Sequence, residues 1–217
     1  MKERPITLNN DMVRAVFDGR KTQTRRIIQE RHLYCGGRTT GNWPVHMPEG
    51  VEGEKARLWA ANNSPFGAVG DRLWVRETWM PDAPRDGTWA DVEFYGCKGS
   101  PLSMIPKRFR KPEHCIYRAS WDGSVMVGWT PSIHMPRWAS RITLEITGVR
   151  VERLNSMTER DAIAEGCIGG HNSIPGYHYS ATPHEHFHHV WQSIYGGDSW
   201  QANPWVWVIE FKRVEGE

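Results

Sequence analysis

The apolar positions of the chain change period several times, and each change marks an element. Ile6 and Leu8 flank a polar residue and predict a short extended start. Met12, Val13, Val16 and Phe17 then recur at helical spacing, with Asn10 or Asp11 as N-cap and Gly19 as stop, which predicts a helix from about Asp11 to Asp18. From Thr22 to Ile28 enough β-branched residues gather to predict a strand, with Thr22, Thr24 and Arg26 on one face. Lys21, Gln23 and Arg25 take the other face if the period of two holds from Lys21 onward; Lys21 and Thr24 converge only if Lys21 still belongs to the turn after Gly19. Gly70-Asp71 is a turn that opens a strand over Arg72 to Thr78, and Cys115 to Ala119 is a shorter one. Ile142, Leu144 and Ile146 give the clearest alternation, Gly148 marks a bulge or bend, and Val149 and Val151 resume the pattern. Trp205 to Phe211 is apolar on both faces over its first half, the mark of a central strand.

Two further helices announce themselves by their caps. Thr158 with Asp161 three residues on is a capping-box variant, and Gly166 ends that helix. Thr182-Pro183-His184-Glu185 combines a cap, a proline at the first helical position and a glutamate three residues after the cap, and the helix it opens runs to about Tyr195. Between the elements lie three aperiodic stretches, Gln29 to Val69, Pro81 to Glu113 and Ile168 to Ala181, which read as long irregular insertions. Six strands and three short helices in this order predict one α+β domain on a mixed or antiparallel, closed sheet.

Composition narrows the function classes. A formal charge of +2 over 217 residues gives no overall basic field, so any nucleic-acid site must be local. Cys35, Cys97, Cys115 and Cys167 form no C-x-x-C pair, which argues against a zinc ribbon or a secreted disulfide scaffold and fits reduced thiols in a cytoplasm. No leader and no membrane-length apolar run is visible, so export and insertion are not expected. Twelve tryptophans serve either as core or as stacking platforms for bases, which composition does not separate.

Candidate chemistry concentrates in Gly19-Arg20-Lys21-Thr22-Gln23-Thr24-Arg25-Arg26. A lysine beside a hydroxyl, with arginines depressing its pKa, is one way to activate a weak nucleophile, whereas Arg25 and Arg26 suit phosphate; a solvated basic edge strand explains the same residues without function. Glu165 opposes the helix dipole at the end of its helix, a small disadvantage that hints at a purpose. Arg76, Glu77 and Trp79 at the end of the third strand, and His134, Arg137 and Trp138 on a proline-stiffened loop, are binding candidates; the alternative for the loop is simple anchoring. Lys107, Arg108, Arg110 and Lys111 around Phe109 make a local basic patch. His184 and His188 share a helix face, as do Glu185 and His189, but nothing in the spacing demands a metal, and no cofactor is expected.

Gly19, Lys21 and Arg26, the Gly70-Asp71 turn, the Thr158 to Gly166 helix and the terminal Val208-Ile209-Glu210-Phe211-Lys212 strand together resemble the ASCH domain family, whose G-x-K-x-x-x-x-R signature they reproduce. That resemblance implies a PUA-like β-barrel with short flanking helices. Gly19-Arg20-Lys21-Thr22 with Thr24, Arg26, Thr158-Glu159, Ala162 and Glu165 is similar to the small bacterial ASCH amidohydrolases that deacetylate N4-acetylcytidine, and implies Lys21, Thr24 and Glu165 as catalytic residues without a metal. On that footing Lys21 takes the proton of Thr24, whose hydroxyl attacks the acyl carbonyl, and Arg20, Arg25, Arg26 and the aromatics hold a modified nucleoside or RNA. The Trp-rich insertions look like those of longer ASCH-like proteins of tailed phages and prophages, which implies host cytoplasm. Arg25 departs from the family by replacing a usually apolar residue. Two alternatives use the same cleft: a non-catalytic RNA-binding module and a metal-independent nuclease.

Overall fold

The computed structural model describes residues 1–28, 64–82, 102–123 and 128–214. Most of the two longer aperiodic stretches, with Cys35 and Cys97, therefore lies outside the described residues. Strand β1 (Glu3–Thr7) leads through Asn9 into helix α1 (Asn10–Phe17). The cap is Asn9 rather than Asn10 or Asp11, because its extended backbone lets its side-chain oxygen accept from the Met12 N–H at 2.8 Å. Gly19 at φ 71° then turns the chain into β2 (Gln23–Ile27).

The strand expected over Arg72 to Thr78 ends two residues early, and a further strand forms just beyond its expected end. It is β3 (Arg72–Arg76), and the separate β4 (Trp79–Pro81) pairs with β5 (Cys115–Tyr117) in a small sheet of its own. The long β6 (Thr143–Arg153) follows, with a register shift between Ile146 and Gly148 where the bulge was expected. After α2 (Glu159–Ala164) and α3 (Pro183–Tyr195), both opened by capping boxes, β7 (Trp205–Arg213) completes the main sheet.

That sheet has five strands in the order β1-β3-β6-β7-β2. β1 runs parallel to β3 and every other pairing is antiparallel. β7 is an interior strand between β6 and β2, as its two apolar faces predicted. The backbone ladder has β1 and β2 as its edges, and the Arg26 guanidinium spans them by donating to the Thr7 carbonyl at 2.7 Å.

Each face of β7 has its own core. Trp207, Ile209 and Phe211 join Ile6, Leu73, Val75, Leu144 and Ile146 in an inner cluster covered by Val13 and Val16 of α1. Val206 and Val208 face the other way, against Ala162 of α2 and Phe187 and Trp191 of α3. The sheet thus separates an inner face under α1 from an outer face under α2 and α3. Among the described residues no helix is long and apolar enough to cross a membrane.

Candidate active site

Lys21 sits where α1, the start of β2 and the end of α2 meet. Its backbone N–H donates to the Ala15 carbonyl, that of Thr22 to Ala164, and Lys21 forms an antiparallel bridge with Glu165. Bridged residues present their side chains to the same side. Lys21 Nζ accordingly lies 2.7 Å from Glu165 Oε2 and also donates to the Glu165 carbonyl at 2.9 Å, both side chains being almost wholly buried. Gly166 makes this approach feasible: it takes φ 95°, and a Cβ there would lie 2.8 Å from that of Ala15 and 3.2 Å from that of Lys21.

The pair is one end of a charge network on the outer face. Three rows cross β6, β7 and β2 there: Gly148–Glu210–Gln23, Arg150–Val208–Arg25 and Glu152–Val206–Ile27. Arg25, 1% exposed, reaches Glu165 Oε1 at 3.2 Å, Glu152 at 2.5 Å and Asp161 at 3.3 Å. Arg150 binds Asp161 at 3.0 Å, Glu152 at 3.2 Å and, more closely still, Glu210. Gln23 donates to the Asp161 carbonyl and carboxylate. Side chains from three strands are thereby tied to the underside of α2, an arrangement that fixes where Glu165 stands.

Burial sets the protonation tendencies. It pushes the Lys21 ammonium below its ordinary value, Glu165 opposes that, and Arg26 adds to the downward shift. Burial also pulls on Arg25, but Glu165, Glu152 and Asp161 outweigh it and hold the guanidinium charged. For Asp161 burial acts upward, and hydrogen bonds from the Thr158 backbone and hydroxyl, with Arg25 and Gln23, bring the net well below the usual carboxylate range. The Cys167 thiol, buried beside this centre, is pushed up to about 12 by desolvation, partly countered by Lys21, which disfavours the nucleophilic thiolate.

Thr24 stands apart from this centre. It pairs with Ile209 in the ladder, on the inner-face side of the sheet, is fully buried, and its Oγ1 has no hydrogen-bond partner. The period of two therefore runs on from Lys21, and the lysine and threonine take opposite faces.

The other candidates divide among separate neighbourhoods. Arg20 holds Asp18 and the Gly166 carbonyl, and Arg26 holds the Arg25 and Thr7 carbonyls. Arg76 stacks over Trp74. Glu77, 1% exposed, is held by both Nε and Nη2 of Arg141 at 2.9 Å, and Arg141 also stacks on Tyr117. Trp79 is corrected from stacking platform to core: it is 0% exposed among Tyr117, Met135 and Ala139, edge-on to Trp138, so neither indole face is open to a base. Arg137 anchors its loop by binding Glu3 at 2.9 Å, while His134 is exposed. His184 and His188 pack on Trp200, and among the described residues no group of three or more metal-binding side chains converges.

Sequence reasoning passed over Arg150, Glu152 and Asp161. The signal for the first two was present, since they alternate with Val149 and Val151 and so had to lie on the opposite face. Asp161 was recognised only as a capping residue, and its carboxylate serves the cap and the network at once.

Glu165 and Cys167 line a cavity of about 420 Å³ between α1, the segment after α2 and α3. Met12, Ala15, Phe187 and Val190 supply apolar wall; Arg20 and His186 are among its polar groups. No family model, curated protein or solved structure matches the chain.

Proposed function

We propose that the chain is a PUA-like protein of the ASCH type that hydrolyses the acyl amide of a modified nucleoside of the N4-acetylcytidine class. The observation that carries this reading is the Lys21–Glu165 pair, an ammonium and a carboxylate 2.7 Å apart with side chains 0% and 2% exposed, the glutamate belonging to the wall of a cavity of small-molecule size. A buried pair of this kind is an expensive way to join two elements, and it is held in place from both sides by Arg25 and by the backbone of Glu165.

In this geometry the nucleophile is a water in the cavity, because Thr24 faces away from Glu165. Glu165 takes a proton as the water oxygen bonds to the acyl carbon. The carbon–nitrogen bond then breaks, and Glu165 returns the proton to the departing amine, leaving a carboxylic acid and the free exocyclic amine. Lys21 and Arg25 are positioning residues that hold the two carboxylate oxygens and counter the charge as it changes. Phosphate binding by Lys21 and Arg25 finds less support, since both side chains are buried and matched by carboxylates.

The test is purified protein with N4-acetylcytidine, as nucleoside and within a short RNA, the cytidine product being followed by chromatography. Turnover should fall about 100-fold or more in Glu165→Gln. Absence of turnover in folded protein, or undiminished turnover in that variant, overturns the reading.

A further inference from the structure

The run Lys107-Arg108-Phe109-Arg110-Lys111 belongs neither to the charge network nor to the cavity wall, and its cations are held in place by the fold. Three 3-10 turns, Leu102–Met104, Lys107–Phe109 and Pro112–His114, follow one another ahead of β5. Ile105 and Phe109 are buried and anchor them. Arg108 stacks over the Phe109 ring at 4.7 Å, and His114 meets the same ring edge-on at 5.3 Å. Arg110 Nε donates to the Ile105 carbonyl at 2.9 Å and Nη2 to that of Ser103 at 3.1 Å, which lays its guanidinium against the backbone on either side of Met104. Met104 itself is 44% exposed, and Lys107, Arg108 and Lys111 are exposed as well. Among the described residues, the carboxylate paired with these cations is Glu113, 3.6 Å from Lys111, so the knob keeps a strong positive surplus.

Cations braced in this way meet a partner without the full entropy cost of ordering them. Stacking occupies the face of the Arg108 guanidinium and leaves its in-plane donors for a carboxylate. Single-stranded nucleic acid asks for open aromatic faces on which bases stack, whereas the ring of this knob is buried and already taken by Arg108 and His114. An exposed methionine beside arginines is instead the composition of a protein interface. We infer that this knob docks an acidic segment of another protein, whose carboxylates meet Lys107, Arg108 and Lys111 and whose apolar side chain rests on Met104. The inference is independent of the hydrolase reading.

The test is fluorescence anisotropy with a labelled peptide of about 12 residues, polyglutamate punctuated by leucine, at about 100 mM NaCl. Lys107→Glu and Arg108→Glu should each weaken binding about fivefold or more, while Arg160→Glu, an equal change of charge at an exposed position on α2, stays within about twofold of the parent. Met104→Ser, and a peptide with serine in place of leucine, should each lose about threefold or more. Urea midpoints verify folding, and Lys107→Glu decides alone if Arg108→Glu is unfolded. Failure of the parent to bind the peptide, a loss in Arg160→Glu as large as that in the knob variants, or affinity indifferent to both Met104→Ser and the leucines overturns the assignment. Oligouridylate of the same length binding at least tenfold tighter than the peptide overturns it too, by making the knob a nucleic-acid surface.

Discussion

Lys21→Met removes the ammonium and keeps most of the volume, which leaves the Glu165 carboxylate buried with Arg25 at 3.2 Å as its remaining cation. At an effective dielectric of about 20 the lost attraction is about 6 kcal/mol, most of it offset in the parent by the cost of desolvating both charges. Removing one partner alone leaves the other charge buried without its match, a situation that costs about 3–5 kcal/mol. For a chain of 217 residues that corresponds to a fall in Tm of about 6–20 °C. Urea unfolding followed by tryptophan fluorescence gives the free energies for the parent, Lys21→Met, Glu165→Gln and the double variant. The double variant should be more stable than the sum of the single losses implies, by about 2 kcal/mol or more, because neither charge remains to be stranded. A single-variant cost under about 0.5 kcal/mol, or strictly additive costs, would refute the claim that the pair is a coupled, desolvated unit.

Other outcomes follow from the same network. Asp161 has a folded pKa below its unfolded value, so its contribution is present above about pH 4 and is lost as pH falls through the folded value; urea midpoints taken from pH 6 to pH 3 should decline, and Asp161→Asn should flatten that decline while lowering the neutral-pH midpoint. Gly166→Ala should cost about 1–3 kcal/mol, since its Cβ would meet Ala15 at 2.8 Å from a backbone at φ 95°; a midpoint equal to the parent's would show that α1 and α2 are free to part. In a variant with serine at Cys35, Cys97 and Cys115, the remaining Cys167 thiol, pushed up to about 12 by burial, should react with a thiol reagent at pH 8 much more slowly in the native protein than after unfolding. Native reaction as fast as that of the unfolded chain would show that burial does not suppress this thiolate.

Much of the architecture was legible because local signals and tertiary environment agree. Thr158 and Thr182 cap their helices through the residues that the sequence nominated, and Gly148 marks the register shift. The apolar first half of β7 found cores on both faces. The site was less legible for a different reason. Lys21 and Glu165 lie 144 positions apart, and only the pairing of Lys21 with the end of α2 shows that their side chains share one side. Arg25, a departure from the pattern of the family the sequence resembles, is matched by carboxylates contributed from β6 and from α2 with its C-cap. The opposition of Lys21 and Thr24 was implicit in the two-residue period of the strand, whereas Trp79 illustrates the opposite limit: an indole looks the same in sequence whether it stacks a base or fills a core.

The most direct test of the central claim compares Glu165→Gln with Thr24→Ala for hydrolysis of N4-acetylcytidine, both verified as folded. The geometry predicts that Glu165→Gln loses about 100-fold or more in kcat while Thr24→Ala stays within about tenfold of the parent, the nucleophile being water. Loss of turnover in Thr24→Ala with a retained urea midpoint would contradict the account and make the threonine hydroxyl the attacking group.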